Sequence, residues 1–187
     1  MKNHYNLNFN FNILKSDFLF PNPKTKIWDI FSFKPQEVLS IEAINFFKSI
    51  NLELYNCQLF RGEPGMSCGI HLDGHTSNKK TQLIWAINWI FGSESSSMCW
   101  YKPIVEAKET KTAVGTSYQT WELDQVEEID RASFGKNHLP VLVRNDIPHR
   151  VINHDTNNSR WCVSVRATKM FESWKDSVNF FKPYICI

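Results

Sequence analysis

Between residues 52 and 168 the sequence consists of short apolar segments separated by turn-forming residues. Gly62 and the Pro64-Gly65 pair end the first segment, and a stretch rich in Asn and Asp at 154–159 precedes the last. The predicted strands are residues 52–61, 69–73, 82–91, 98–102, 116–123, 139–144, 149–153 and 160–168. About eight short strands separated by turns are typical of an all-β sandwich or jelly roll, the architecture that includes the cupins.

One amphipathic helix precedes these strands. Over residues 35–51 the apolar side chains recur at three- and four-residue steps, and Pro35 suits the first turn of a helix. This helix is expected to cover one face of a sheet. Upstream, the alternation of Leu7, Phe9, Phe11 and Ile13 predicts a strand lying across the outside of the core.

We therefore expect one mainly-β domain over residues 1–187, a double-stranded β-helix with one or two covering helices. Residues 1–51 would form an N-terminal extension and the covering helix, residues 52–168 the β core, and residues 169–187 a tail with one short helix. Residues 124–138 are rich in charge and are predicted to be a solvated connection. The segment 82–91 is apolar at almost every position, which predicts a strand buried on both faces.

The composition limits the classes of function. Hydrophobic residues make up 42% of the chain and charged residues 21%, which argues against disorder. A formal net charge of +2 is too small to imply nucleic-acid binding through overall charge. The five cysteines form no CxxC pair, and no apolar run approaches the ~20 residues of a membrane helix. We expect a cytoplasmic protein with isolated thiols.

His71 and Asp73 are the first candidate metal ligands. Side chains alternate faces along a strand, so these two would point the same way, about 7 Å apart. An HxD pair alone is weak evidence for a metal site, but Gly69 and Gly74 on either side would let backbone crowd a small site. His75 follows Gly74, where the strand is expected to turn, and is interpreted as a surface residue or as one that supports a ligand from behind.

His149 is the candidate third ligand. It opens a predicted strand after a polar turn and Pro148, and the intervening residues are enough for several strands to return beside His71. A histidine bonded to backbone at a strand start is the alternative explanation. His138 and His154 lie in polar turns and are weaker candidates.

Two arginines share one face of the last predicted strand. On 160–168 the even positions 160 to 166 carry Arg, Cys, Ser and Arg. Taken alone, Arg160 and Arg166 could simply begin and end the strand in solvent. If this face lines the interior, each arginine needs an anionic partner, and Arg binds a carboxylate with a two-pronged geometry.

Taken in order, these motifs resemble the Fe(II)/2-oxoglutarate-dependent dioxygenases. The resemblance covers roughly residues 52–168 and rests on the series His-x-Asp, a distant His in the phrase IPHRVIN, and then an Arg-bearing strand. Prolyl-hydroxylase-like and AlkB-like branches are both compatible with it. The spacing of Arg160 and Arg166 is similar to that of the AlkB-type demethylases, although Cys162 stands where that branch has Asn and no basic recognition lid is present.

The resemblance implies iron held by His71, Asp73 and His149, with 2-oxoglutarate and O₂ as co-substrates. It implies that Arg160 binds the far carboxylate of 2-oxoglutarate, with Arg166 nearer the iron. Asn88 and Tyr101 are candidates to hydrogen-bond the co-substrate, and Trp85, Trp89 and Trp100 are candidates to line the site. Plain core packing is the alternative for each of these residues.

The substrate and the rival functions stay open at this stage. A small molecule or a peptide is expected as substrate, nucleic acid is not favoured, and no membrane is involved. The loops 76–81 and 103–116 are expected to select the substrate. One alternative is a cupin-like metal protein or isomerase without 2-oxoglutarate dependence, and another is a structural jelly-roll domain in which the histidines and arginines are incidental.

Overall fold

The computed structural model describes residues 1–24, 27–73, 83–111, 117–135, 139–169 and 171–186. Within these ranges the chain forms three α-helices: α1 (Pro35–Val38), α2 (Ile41–Ser49) and α3 (Trp174–Phe181). The strands are β1 (His4–Asn6), β2 (Trp28–Phe33), β3 (Leu54–Gly62), β4 (Ile70–Leu72), β5 (Trp85–Phe91), β6 (Ser95–Pro103), β7 (Lys108–Lys111), β8 (Ser117–Trp121), β9 (Val126–Gly135), β10 (Val141–Arg144), β11 (His149–Asn153) and β12 (Arg160–Ala167). None of the described helices is long and apolar enough to cross a membrane.

The strands form two antiparallel sheets of six. The first has the order β1-β10-β5-β12-β3-β2 and the second β7-β8-β4-β11-β6-β9. Successive strands β3 to β6 alternate between the sheets, and so do β9 to β12. This places β10-β5-β12-β3 against β9-β6-β11-β4, which is the arrangement of an eight-stranded jelly roll. The predicted mainly-β jelly-roll fold class is confirmed.

Three apolar clusters hold the layers together. The first lies between the two sheets and includes Met98, Trp100 and Phe134. The second is larger and fills the space between the outer face of the first sheet and the N-terminal segment with the helices. The third covers the outer face of the second sheet around Tyr101 and Trp121. Both faces of β5 are largely buried, as predicted, because the outer cluster covers Trp85, Ile87 and Trp89 and the inner cluster covers Ala86 and Ile90.

The single helix predicted over 35–51 is two helices. Leu39 is extended and bridges to Leu14, and the Oγ of Ser40 accepts the amide of Ala43 at 3.0 Å as the N-cap of α2. A serine that caps a new helix competes with continuation of the preceding one. Helix α2 still covers the first sheet, with Phe47 fully buried.

The prediction of an N-terminal strand over residues 7–13 was wrong in its position. Residues 7–13 form no strand of their own, and β1 and β2 instead extend the two edges of the first sheet. Leu7 and Ile13 are buried, while Phe9 packs against Phe11 and the aromatic rings of α2. The alternation reflects an irregular segment packed on an aromatic surface, not a ladder of hydrogen bonds.

The prediction of a solvated connection over residues 124–138 was also wrong, because β9 runs through this region. This strand is at the edge of the second sheet and pairs with β6 along its whole length. Val126, Ala132 and Phe134 are buried while most of the other side chains are exposed. Charged side chains on the outward face are typical of an edge strand. In the sequence they concealed the alternation of the buried residues of β9. Strand β7 likewise lies within the predicted loop 103–116.

Asp155 stabilises the turn between β11 and β12. Its carboxylate accepts the backbone amides of Glu94, Asn157 and Asn158 and the side-chain amide of Asn158. These hydrogen bonds favour the ionised form and hold the pKa of Asp155 below its usual value of 3.8. A group with a depressed folded-state pKa stabilises the fold above its ordinary pKa and loses that contribution as the pH falls.

We predict that Asp155→Asn lowers the melting temperature at pH 7, because one amide oxygen replaces two charged acceptors. The difference from wild type is expected to shrink as the pH falls below about 4, the ordinary pKa of an aspartate. Thermal unfolding followed by circular dichroism from pH 7 downwards measures it. Asp17→Asn, a change at an exposed carboxylate, is the control. A difference independent of pH would contradict the assigned role.

Candidate metal centre

His71, Asp73 and His149 converge at one end of the second sheet. His71 and His149 are direct partners across β4 and β11, and their ring centroids are 4.7 Å apart. Asp73 follows β4 and places Oδ1 3.5 Å from Nε2 of His71. One ligand atom from each of the three lies within 4.8 Å of the other two. Two imidazoles and one carboxylate on one side of a small space could hold a divalent metal ion.

The backbone orients both imidazoles in the same way. Nδ1 of His71 lies 2.9 Å from the carbonyl oxygen of Gly69, and Nδ1 of His149 lies 3.0 Å from that of Ile147. A carbonyl can only accept, so each Nδ1 carries the proton and donates it. Nε2 of each ring is then the atom with a free lone pair, which is the tautomer that a metal ligand needs.

Asp73 is held by two groups from outside its own strand. Its Oδ2 accepts from the Asn145 side-chain amide at 3.1 Å and from the Arg166 guanidinium at 3.5 Å. Asn145 is buried in the turn before β11. Its role was not predicted, although the polar turn at 144–146 directly before His149 was a signal. These contacts fix the carboxylate and leave Oδ1 towards the histidines.

The three groups shift one another's protonation. Burial opposes ionisation of Asp73, but the hydrogen bond to His71 and the charges of His149 and Arg166 prevail and lower its pKa. Burial alone would lower the pKa of His71, but hydrogen bonds to Asp73 and Cys68 raise it well above 6.5. Burial, together with the charge of His71, lowers the pKa of His149 to about 4. Without a metal ion, these interactions favour the protonated form of His71, whose Nε2 must lose its proton before it can bind a metal.

A cavity of about 860 Å³ opens beside the three ligands, between the two sheets. Side chains from both sheets line it, and it leaves room for a ligand beside the three candidate metal ligands. Among its lining residues are the ligands themselves and Gln58, Phe60, Cys68, Asn88, Met98, Arg160, Cys162, Ser164 and Arg166.

Arg160 lies in this cavity as a buried cation without an acidic partner. Its side chain is only 2% exposed, and Nε donates to Oγ of Ser96 at 3.3 Å. No carboxylate in the described part of the chain lies within ion-pair distance of it. A buried charge is costly unless it is paired, so the guanidinium favours an anionic ligand.

Arg166 is in a different situation on the same strand. It is 7% exposed and donates to Oε1 of Gln58 at 3.2 Å as well as to Asp73. Asp73 partly compensates its charge, but its Nη1 is buried and has no hydrogen-bond partner among the described residues. Arg160 differs from it in having no carboxylate within ion-pair distance in the described ranges.

Asn88 faces the cavity, whereas Tyr101 does not. In the inner row of the first sheet, Asn88 pairs with Ser164 and Ser164 pairs with Gln58. Oδ1 of Asn88 is buried and has no hydrogen-bond partner among the described residues. The expectation for Tyr101 is corrected, because the alternation of β6 turns its side chain to the outer face of the second sheet, beside Trp121.

The tryptophans predicted to line the site lie elsewhere. Trp85 and Trp89 point away from the cavity into the outer core of the first sheet, because they have the opposite parity to Asn88 on β5. Trp100 packs between the sheets, stacked on His4, and does not line the cavity. Their aromatic bulk supports the layers and not the ligand.

Side chains from β2, which was not predicted, and from β8, which was, also line the cavity. Trp28, Ile30 and Ser32 of β2 line it on one side, and Tyr118 and Thr120 of β8 line it on the other. Both strands lie outside the eight of the jelly roll. None of these five side chains is charged.

The competing histidines do not join the centre where they can be placed. Nε2 of His154 lies 2.8 Å from Oγ of Ser97, away from the three ligands. His75 and His138, as well as Gly74 and the loop 76–81, lie outside the described residues.

Comparisons with known proteins give only distant likenesses. No family model matches the chain, and none of the curated proteins matches it. Among 52 matching solved chains, vicilin from hazelnut (Corylus avellana) is 11% identical over 79% of this chain and 30% of its own, with a TM-score of 0.40. An oxalate oxidase in complex with the substrate analogue glycolate is 9% identical over 90% and 76%, with a TM-score of 0.39. The E. coli protein ycfD is 12% identical over 70% and 30%, with a TM-score of 0.37.

This chain spans about a third of the length of the vicilins that it matches. At these identities and TM-scores the likenesses assign neither a family nor an activity. The jelly-roll fold is established by the strand order itself.

We predict that His71→Ala, Asp73→Ala and His149→Ala each abolish stoichiometric binding of Fe(II) or Co(II), because each removes one of only three protein ligands. Anaerobic metal titration with metal analysis after gel filtration measures the binding, and circular dichroism checks the fold. His154→Ala removes a histidine outside the centre and is the matched control. Full metal content in any of the three variants would refute that residue as a ligand.

We also predict that metal affinity rises with pH through the neutral range. A metal ion can bind Nε2 of His71 only after its proton leaves, and the raised pKa of His71 retains that proton above pH 6.5. Because one proton is released, the apparent affinity is expected to rise about tenfold per pH unit until that pKa is passed. His149, with its pKa lowered to about 4, adds to this dependence only in acid. Co(II) titrations at several pH values measure the slope, and a flat profile would contradict it.

Proposed function

We propose that this protein is an Fe(II)- and 2-oxoglutarate-dependent oxygenase that hydroxylates or demethylates its substrate with release of succinate and CO₂. The observation that carries the proposal is the buried, unpaired guanidinium of Arg160 in the same cavity as the His71–Asp73–His149 centre. A metal triad alone is equally compatible with a cupin-like protein that has no co-substrate. An unpaired interior arginine favours a ligand that carries a carboxylate.

The donor set fits a ferrous ion. Two neutral imidazoles and one carboxylate are the ligands of the facial triad, which leaves adjacent coordination positions for other molecules. When bound, Fe(II) supplies the activation of O₂ that couples oxidation of 2-oxoglutarate to oxidation of the substrate. The carbonyl oxygens of Gly69 and Ile147 hold both rings in the binding tautomer, and Asn145 holds the carboxylate.

Arg160 would bind the far carboxylate of 2-oxoglutarate through its two terminal nitrogens, while Ser96 steadies Nε. Asn88 and Ser164, on the cavity face of the first sheet, are positioned to hydrogen-bond the rest of the co-substrate. Arg166 has a different role in this proposal. It keeps Asp73 ionised and oriented.

The substrate would enter between β2 and β8. Trp28, Ile30, Tyr118 and Thr120 there offer aromatic, apolar and hydroxyl surface and no charge. Protein contacts to nucleic-acid backbones depend on arginine and lysine, so these walls favour a small molecule or an uncharged part of a peptide.

We predict that Arg160→Ala weakens 2-oxoglutarate binding by about two to three orders of magnitude, because breaking a desolvated charge pair costs roughly 3–5 kcal/mol. The measurement is anaerobic titration of the Fe(II)-loaded protein, followed by the weak visible charge-transfer absorption of the chelate. Arg160→Lys is expected to recover only part of the affinity, because lysine lacks the two-pronged geometry. Arg131→Ala, which removes an exposed arginine paired with Glu128, is the control.

The same titration separates the alternatives. Iron binding without 2-oxoglutarate binding would replace the proposal with a cupin-like metal protein. Absence of iron binding would leave a structural domain. Succinate formed from 2-oxoglutarate under O₂ would support the oxygenase.

A further inference from the structure

Cys68 is a cavity-lining thiol with no part in the proposed function. Its backbone N–H donates to the carbonyl of Val151 at 3.0 Å, and the Val151 N–H donates back to Sγ, also at 3.0 Å. These two hydrogen bonds hold Cys68 against β11, with its sulfur at the wall of the cavity. Cys68 and Cys186 are partly exposed, whereas Cys57, Cys99 and Cys162 are buried. Of the two partly exposed thiols, Cys68 is the one that lines the cavity.

Two features of the cavity wall favour an oxidised form of this sulfur. The Val151 N–H already donates to Sγ at 3.0 Å. Arg160 lines the same cavity, is 2% exposed and has no carboxylate partner in the described ranges. An oxygen atom added to Sγ would extend into a cavity whose buried guanidinium favours an anionic group.

We propose that Cys68 is a site of reversible oxidation by peroxide, and that the resulting sulfenate pairs with Arg160 and excludes an anionic ligand from it. Sulfur attacks one oxygen of H₂O₂, an S–O bond forms and the O–O bond breaks. The second oxygen leaves as water with the thiol proton. Sulfur loses two electrons and the peroxide gains them, and an added dithiol returns the sulfenate to the thiol by forming its own disulfide.

Cys162 provides the comparison within the same cavity. It lies two residues from Arg160 on β12 and also lines the cavity, but its side chain is only 3% exposed. Burial raises the pKa of its thiol, and charges from Arg160 and Arg166 only partly offset this. A buried thiol in such surroundings is inert compared with an accessible one. We therefore expect peroxide to select Cys68.

The first experiment locates the modification and does not depend on any activity. Metal-free protein is treated with H₂O₂ at low excess, trapped with dimedone and digested for mass spectrometry. We expect the dimedone adduct on the Cys68 peptide in wild type and in Cys162→Ser, and its loss in Cys68→Ser. Arg160→Ala is expected to reduce the trapped fraction, because the sulfenate loses its cationic partner. Labelling mainly at another cysteine, or a Cys68–Cys162 disulfide, would overturn the proposal.

The second experiment tests the consequence and rests on the proposed function. Oxidised protein is freed of peroxide, loaded anaerobically with Fe(II), and titrated with 2-oxoglutarate. We expect an affinity about tenfold or more below that of untreated protein, as a competing charged hydrogen bond would give, with recovery after dithiothreitol. Cys68→Ser is expected to keep its affinity after peroxide. Unchanged affinity in protein that carries the Cys68 sulfenate would overturn the exclusion.

The two proposals can fail separately. If untreated protein binds no 2-oxoglutarate, the proposed function fails, while selective and Arg160-dependent trapping at Cys68 still supports the modification site. If untreated protein binds 2-oxoglutarate but peroxide leaves Cys68 unlabelled, the modification site fails and the proposed function stands.

Discussion

The pairing of His71 with His149 across β4 and β11 is the contact on which the rest of the centre depends. It brings together two segments that are far apart in the chain, and it places both imidazoles on the cavity face. Because strand side chains alternate, a register shift of one residue would turn one ring to the outer face. Asp73 lies beside this pair at the end of β4, and hydrogen bonds from Asn145 and Arg166 hold its carboxylate. The centre is therefore a product of the jelly-roll connectivity and not of a local motif.

Most of the core fold could be read from the sequence because turn-forming residues separate its strands. Eight strands were predicted, but the set was not the eight of the jelly roll, since it contained β8 and omitted β9. The charged side chains of that edge strand concealed its alternation of buried residues. The break before α2 was missed for another reason. It depends on a serine that caps the helix, and Ser40 is equally acceptable on a solvent-facing helix surface.

The three candidate metal ligands were predictable because their residue types and order are chemically restrictive, and the structure brings all three together. The groups that orient the two imidazoles were not predictable. They are backbone carbonyls, which every residue has, so no sequence pattern marks them. Tyr101 was misplaced since both faces of β6 are apolar, which leaves its parity ambiguous. Arg160 and Arg166 looked equivalent in the sequence. Only their neighbours distinguish a compensated cation from an uncompensated one.

The position of β2 and of the β7–β8 pair outside the eight-stranded jelly roll separates two properties of the molecule. The eight central strands and the turns next to them carry the three candidate metal ligands and both arginines, while β2 and β8 contribute uncharged side chains to the lining of the cavity. Loss or exchange of an outermost strand leaves the ladders of its inner neighbours intact. Selectivity could therefore be redesigned by grafting new edges onto this scaffold, with its reactivity preserved.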